Sequence, residues 1–375
     1  MWSEIQRMFK SFDLRLVLSL GIFFALGNVR ICNAYMYQER IAYSQSLSHY
    51  AMGQVYDLLG MTNRAVLEYE QALSSDKDSY LIHLRLGTDY ARLNMIDEAM
   101  KELNFVQKLN PKDLQSHYLL ALIYSTERDY AKAIDEYEYI LKSFVQSEPQ
   151  NAEIYGYLAQ LYYAQGKYDQ AIEQFEQILT LEPDNIQVME LLAQLYYVQK
   201  KFSPAIQQFE NILNLEPSNP DIMYLLGTLY LEVKESKKAM ELLKGAIGLD
   251  PQHDGSLNTL GYLYAEEGLN LDEAQNLVER ALQINPDNGA YMDSLGWVYY
   301  KKGMYDKALE VLTQAGKTME DPVIYDHIAD VYFKLNNIDE AIKYWELSLQ
   351  LLPAQEEIIR KLNDARNNQV RMQVK

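Results

Sequence analysis

A chain of 375 residues carrying 53 acidic against 34 basic side chains has a net charge of −19, and a surface of that sign repels nucleic acid and anionic lipid. Its one cysteine, Cys32, excludes an internal disulfide and any zinc site built on several thiolates. With 48 % apolar residues and 31 tyrosines, the chain has ample material for a core and an unusual supply of large rings with a polar tip.

Residues 1–34 read as an export signal. Arg7, Lys10 and Arg15 make a positive front, Leu16 to Leu26 an apolar stretch, and Cys32-Asn33-Ala34 ends on a small residue suited to cleavage. The apolar stretch is short of the ~20 residues that a spanning helix needs, which favours cleavage over the competing reading of a retained anchor. No membrane insertion is therefore expected after cleavage, and the expected location is the periplasm or cell envelope. Removing the segment takes Cys32 with it and leaves 30 basic against 51 acidic side chains.

Residues 35–45 predict a lead-in helix, with Tyr37, Ile41 and Leu47 on one face covering the open end of the adjoining helices. From residue 46 a pattern sets in. Tyrosine recurs as Tyr56, Tyr90, Tyr124, Tyr162, Tyr196, Tyr230, Tyr264, Tyr299 and Tyr332, mostly 34 residues apart. Alanine keeps step as Ala65, Ala99, Ala133, Ala171, Ala205, Ala239, Ala274, Ala308 and Ala341. Each unit divides into two amphipathic helices around a short turn. In residues 286–315, Met292, Leu295, Gly296 and Tyr299 precede the turn at Gly303, and Ala308, Leu312 and Ala315 come after it. The small residues permit close approach of the two backbones.

This order of residues resembles the tetratricopeptide repeat, a helix–turn–helix unit of 34 residues. Nine such repeats span residues 46–353. The resemblance implies an all-α fold, a right-handed superhelix (α-solenoid) whose first helices line a concave groove. Four extra residues between Tyr124 and Tyr162, placed within Ser143–Gln150, predict a longer second helix in repeat three; one extra residue near Asn270-Leu271 lengthens the inner turn of repeat seven. At the joints centred on Pro183, Pro217, Pro251 and Pro286, proline ends one helix and the polar residue behind it caps the next. Residues 354–366 form a terminal cap with Ile358, Leu362 and Ala365 on one face, and the tail to residue 375 is expected to fray.

What the resemblance implies about function lies in the groove, at the fifth, ninth and twelfth places of each repeat among others. No fifth place is basic and no ninth place is Asn, so the carboxylate clamp of chaperone-tail adaptors is absent. The places hold a track of rings instead: Tyr163, Tyr197, Tyr224, Tyr262, Trp297, Tyr300 and Phe333, interspersed with Asp293, Asp326 and Asp330. Such a lining suits an extended peptide, an amphipathic helix or a glycan, with Trp297 and Tyr300 as the foremost contacts. The competing reading is that rings at helical spacing serve packing. His49, His83 and His117 share one place in three successive repeats, but neighbouring helices lie ~8–10 Å apart, too far for adjacent rings to share an ion unaided.

No phosphate-binding loop, HExxH, nucleophile elbow or strand pattern occurs, and Glu68, Glu70, Asp135, Glu136 and Glu138 read as solvated helix faces. Fewer than 25 residues lie beyond the array at either end once the signal is removed, so no catalytic domain is expected. The expectation is a non-catalytic scaffold without cofactor or metal that binds a protein or peptide partner in cell-envelope assembly or secretion. A glycan-binding protein that guides polysaccharide export is the alternative.

Overall fold

The computed structural model describes the backbone of residues 14–144 and 152–373, and the side chains of residues 36–143 and 152–367. Among the described residues there are nineteen helices and no strand. The helices run in consecutive pairs, the first (A) and second (B) of each repeat, and each B helix packs on the A helix before it and on the A helix after it within a unit. Two compact units divide the chain at Leu181 and Glu182, the first holding repeats one to four and the second repeats five to nine with the terminal helix.

The nine repeat alanines are all 0 % exposed, so each is the point where the B backbone meets its A helix. Opposite them stands Gly or Ala. A Cβ built on Gly296 would come within 2.4 Å of Leu312 Cγ, the close approach that the small residue exists to allow. Between A and B, one residue of every inner turn has positive φ: Gly60, Asn94, Arg128, Gly166, Lys200, Lys234, Gly268, Gly303 and Asn336. Repeat seven has its extra turn residue, and Asn270 is left-handed too.

The joints behave as their sequence implies. Asn185, Asn219 and Asn288 accept hydrogen bonds from the amides of Val188, Ile222 and Tyr291. His253 does the same for Ser256 through Nδ1, which places its proton on Nε2, 3.1 Å from Asp221 Oδ1. Repeat three's B helix, Tyr130–Phe144, has 15 residues where the other B helices have 14; the rest of the insertion lies outside the described residues.

Both ends differ from expectation. No separate lead-in helix exists: a single helix runs Leu14–Leu58 into repeat one. Tyr37, Ile41 and Leu47 are 67 %, 42 % and 55 % exposed, and so cover nothing. The side chains of the export segment lie outside the described residues. Among the described residues no helix is long and apolar enough to cross a membrane. At the other end Ile358, Leu362 and Ala365 are buried against Ala329, Ala341 and Trp345 as a cap should be, but the terminal helix continues to Gln373 instead of fraying after residue 366.

Candidate functional site: a cleft and a closed acidic stack

In the first unit the shared-place histidines are structural. His49, His83 and His117 turn Nδ1 to Glu68, Glu102 and Glu136 of their own repeats at 2.7, 2.5 and 2.5 Å. His83 and His117 also turn Nε2 to the carbonyls of Lys77 and Pro111 in the preceding joint. The same geometry corrects the reading of three of the five helix-face carboxylates, Glu68, Glu136 and Glu138, which are half-buried, while Glu70 and Asp135 lie exposed as expected. Glu68 and Glu136 hold histidines, while Glu70 accepts from Tyr90 at 2.7 Å and Glu138 from Tyr162 at 3.1 Å. These are bonds between repeats, each running from a repeat tyrosine to the preceding B helix. Tyr230 makes the same bond to Glu210 at 2.6 Å. The separation is 20 residues for Tyr90 and Tyr230 and 24 for Tyr162, so the spacing absorbs the four-residue insertion. A glutamate 20 residues before a repeat tyrosine is a signal that the sequence does carry.

Tyr163, in the first unit, is half-exposed beside Tyr168.

The second unit holds the remaining nine predicted site residues and sorts them into two groups. Tyr197 and Tyr224 meet in an open cleft of about 550 Å³ between the A helices of repeats five and six, Ile186–Val198 and Pro220–Glu232. Its floor is Ala193, Phe209 and Leu229, its sides are Val198 and Leu225, and Gln194, Thr228 and Glu232 supply the polar rim. Tyr197 is 48 % exposed and leans on Phe202, whereas Tyr224 is held by His253 and by the bare backbone of Gly255. Gly255 has a purpose here: a Cβ would lie 3.0 Å from the Tyr224 ring.

The other group is largely taken up by internal contacts: Trp297 and Asp293 are buried, and Tyr262, Tyr300, Asp326, Asp330 and Phe333 are half-buried. Trp297 is 7 % exposed, stacks on Tyr300 at 4.6 Å and on His327 at 4.0 Å, and donates Nε1–H to Glu266 at 2.6 Å. It therefore offers no free face to a guest, which corrects its place as the foremost contact. Asp293, 7 % exposed, is likewise unavailable because His327 Nδ1 donates to both its oxygens at 2.9 and 3.1 Å. Asp326 and Asp330 both receive Lys361 of the terminal helix, at 2.9 and 2.8 Å, and Asp326 also accepts from Trp345. Phe333 lies against Trp345, and Tyr262 is partly buried in the core around Trp297.

The electrostatics reflect those contacts. Burial alone would push the His327 pKa down, but the charge and hydrogen bonds of Asp293, helped by Asp326 and Asp330, raise it instead. Burial and the neighbouring Asp326 raise Asp330 despite Lys361, because one ammonium serves two carboxylates. Burial, with the charges of Asp330, Tyr305 and Asp326 behind it, pushes the Tyr300 hydroxyl up to about 12. The pairs His327–Asp293 and Lys361–Asp326 repeat one geometry, a nitrogen donor reaching an acid on the A helix of the repeat before it. This acidic stretch is an internal staple.

Models of the tetratricopeptide repeat match residues 47–79, 84–152, 126–195, 163–208 and 198–260, together more than half of the chain. The chain belongs to the tetratricopeptide repeat family. Residues 267–346 also match the model of subunit 3 of the anaphase-promoting complex, cyclosome. Among solved structures, a tetratricopeptide repeat protein from Parabacteroides merdae is 15 % identical with a TM-score of 0.53, over 68 % of this chain and 98 % of that one. A chain of the Cut9-Hcn1 hetero-tetramer of the APC/C is 18 % identical with a TM-score of 0.50, over 85 % of this chain and 76 % of that one. These likenesses concern the fold. No curated protein matches the chain.

Proposed function

We propose that this tetratricopeptide repeat protein is a non-catalytic scaffold, exported to the cell envelope, which holds a partner polypeptide in the cleft between Tyr197 and Tyr224. The observation that carries the reading is the cleft itself: an apolar recess open to solvent, with two aromatic walls and a rim of Gln194, Thr228 and Glu232. Aromatic walls give large contact area at little entropic cost, and the amide, hydroxyl and carboxylate on the rim can bond a peptide backbone. The occupant is an extended segment or a helix that inserts one aliphatic or aromatic side chain, with Lys or Arg beside it to meet Glu232. The export assignment is supported by the charge and apolar pattern of residues 1–34.

The test is selection from a displayed peptide library against the folded chain, followed by calorimetry. Enriched peptides should share an apolar anchor with a flanking cation, and Tyr197→Ala or Tyr224→Ala should weaken them at least about tenfold. No enrichment, or affinity unchanged in both variants, overturns the cleft assignment. Sequencing the N-terminus of the protein from its own cells should find Tyr35 first; Met1 would overturn the cleaved signal.

A further inference from the structure

We propose that two copies of this chain pair through the outer face of the first helix, antiparallel and twofold, crossing at Ser48. The inference is independent of the cleft.

In every later repeat of a unit the preceding B helix covers one side of the A helix. Ile82 and Leu86 on that side of repeat two are 3 % and 1 % exposed. Their counterparts 34 residues earlier, Ser48 and Met52, have no preceding repeat. The stripe they belong to is Tyr37, Ile41, Ser44, Ser48, Met52, Val55 and Leu59, and all seven are exposed. Tyr37 is 67 % exposed, Ile41 42 %, Met52 46 %, Val55 47 % and Leu59 61 %.

Three features point to a second copy as the occupant. The spacing of the stripe is the same read in either direction from Ser48, in steps of four, three and four residues. An antiparallel copy therefore sets Tyr37 on Leu59, Ile41 on Val55 and Ser44 on Met52, the self-complementarity that a twofold contact requires. The small Ser48 at the axis lets the helices approach to the ~8 Å of close packing. Charge agrees with this. The chain as a whole is strongly acidic, yet between Met36 and Leu59 only Glu39, Arg40 and Asp57 carry full charges, and Asp57 turns inward to accept from Tyr69. Two such faces meet without the repulsion that the rest of the surface would impose. Area agrees as well. The five large stripe residues, giving up on the order of 100 Å² each per copy, bury roughly 1,000 Å² in all, enough for a specific contact.

The test is sedimentation of the whole chain at micromolar concentration, with circular dichroism to verify folding. The wild type should sediment with the mass of two chains. Val55→Glu sits on an exposed position and should fold normally, but it sets an unpaired carboxylate against Ile41 of the other copy at both ends of the contact. Dimerisation should weaken at least about 100-fold. Adding Ile41→Lys to that variant places the opposite charge across the contact and should restore the dimer. Ser48→Cys, in a background where Cys32→Ser removes the native thiol, should cross-link to itself on mild oxidation. Ile41→Glu serves as a second disrupting variant should Val55→Glu fold poorly. A wild type with the mass of one chain overturns the proposal, as does a dimer indifferent to both disrupting variants or one that Ile41→Lys fails to restore. A single chain that binds phosphatidylcholine vesicles through Val55 overturns it in favour of a membrane surface.

Discussion

The glycines at the A–B contact make a graded test of the packing. Gly227, Gly261 and Gly296 occupy the same place in repeats six, seven and eight, where Ala121, Ala159, Ala193 and Ala329 stand in four other repeats. Alanine in a helix is favoured over glycine by about 1 kcal/mol, so each Gly→Ala change begins with a gain. At Gly227 a Cβ would find Leu243 Cγ at 3.4 Å, ordinary contact, and the gain should survive as up to about 1 kcal/mol of added stability. At Gly296 the Cβ would lie 2.4 Å from Leu312 Cγ and 2.7 Å from its Cδ2. Leu312 is 0 % exposed and has nowhere to go, so overpacking of about 1–3 kcal/mol cancels or exceeds the gain. Gly261 is the worst site. Its Cβ would meet Val278 Cγ2 at 2.6 Å and the carbonyl oxygen of Ala274 at 2.9 Å. A β-branched side chain is stiff and a helix carbonyl moves only with its helix, so the net loss should be about 2 kcal/mol or more. Urea unfolding of the whole chain, with hydrogen exchange to localise the effect to the altered repeat, ranks the three. Gly261→Ala as stable as Gly227→Ala would refute the reasoning.

Three other predictions concern charge and backbone. The raised pKa of His327 means that the folded state holds its proton more tightly than the unfolded chain does. The resulting stabilisation is complete below about pH 6.5 and is lost as pH rises through the folded value, so thermal stability should fall on the alkaline side and Asp293→Asn should flatten that dependence. Burial, with the neighbouring Asp57 and against Arg92, pushes the Asp89 carboxyl up to about 7. Its contribution is complete below about pH 3.9 and is lost as pH rises to about 7; Asp89→Asn, whose amide can donate to the buried Asp57 Oδ1, should be more stable than wild type at pH 8 by at least about 1 kcal/mol in the same unfolding assay. Lys234, with φ of 62°, sits where other repeats use glycine, so Lys234→Gly should stabilise by up to about 1 kcal/mol, and a loss on denaturation would contradict it.

The fold was legible because its determinants are local and repeat. A small residue where helices touch, a tyrosine one turn on, an alanine across the turn and a polar cap after each proline can all be read without knowing what lies opposite. The joint at His253 shows the limit, since a histidine caps there through a tautomer that only Asp221 on another helix selects. The groove was legible in part. Tyr197 and Tyr224 do frame a cleft, because their places on the A helix decide which way they point. Trp297 occupies an equivalent kind of place yet is buried, because His327 of the next repeat stacks on it. Whether a groove residue is open depends on its neighbour across the groove, and that residue lies 30 or more positions away. The acids misled for the same reason. Asp293 and Asp326 look free in sequence until a nitrogen donor 34 or 35 residues later is brought against each.

The central claim is that repeats five and six present a cleft that a partner enters. Hydrogen exchange of the chain with and without a selected peptide tests this directly. New protection should concentrate in Ile186–Val198 and Pro220–Glu232, the two helices that carry Tyr197 and Tyr224. Protection confined to other helices, or none at saturating peptide, would contradict it.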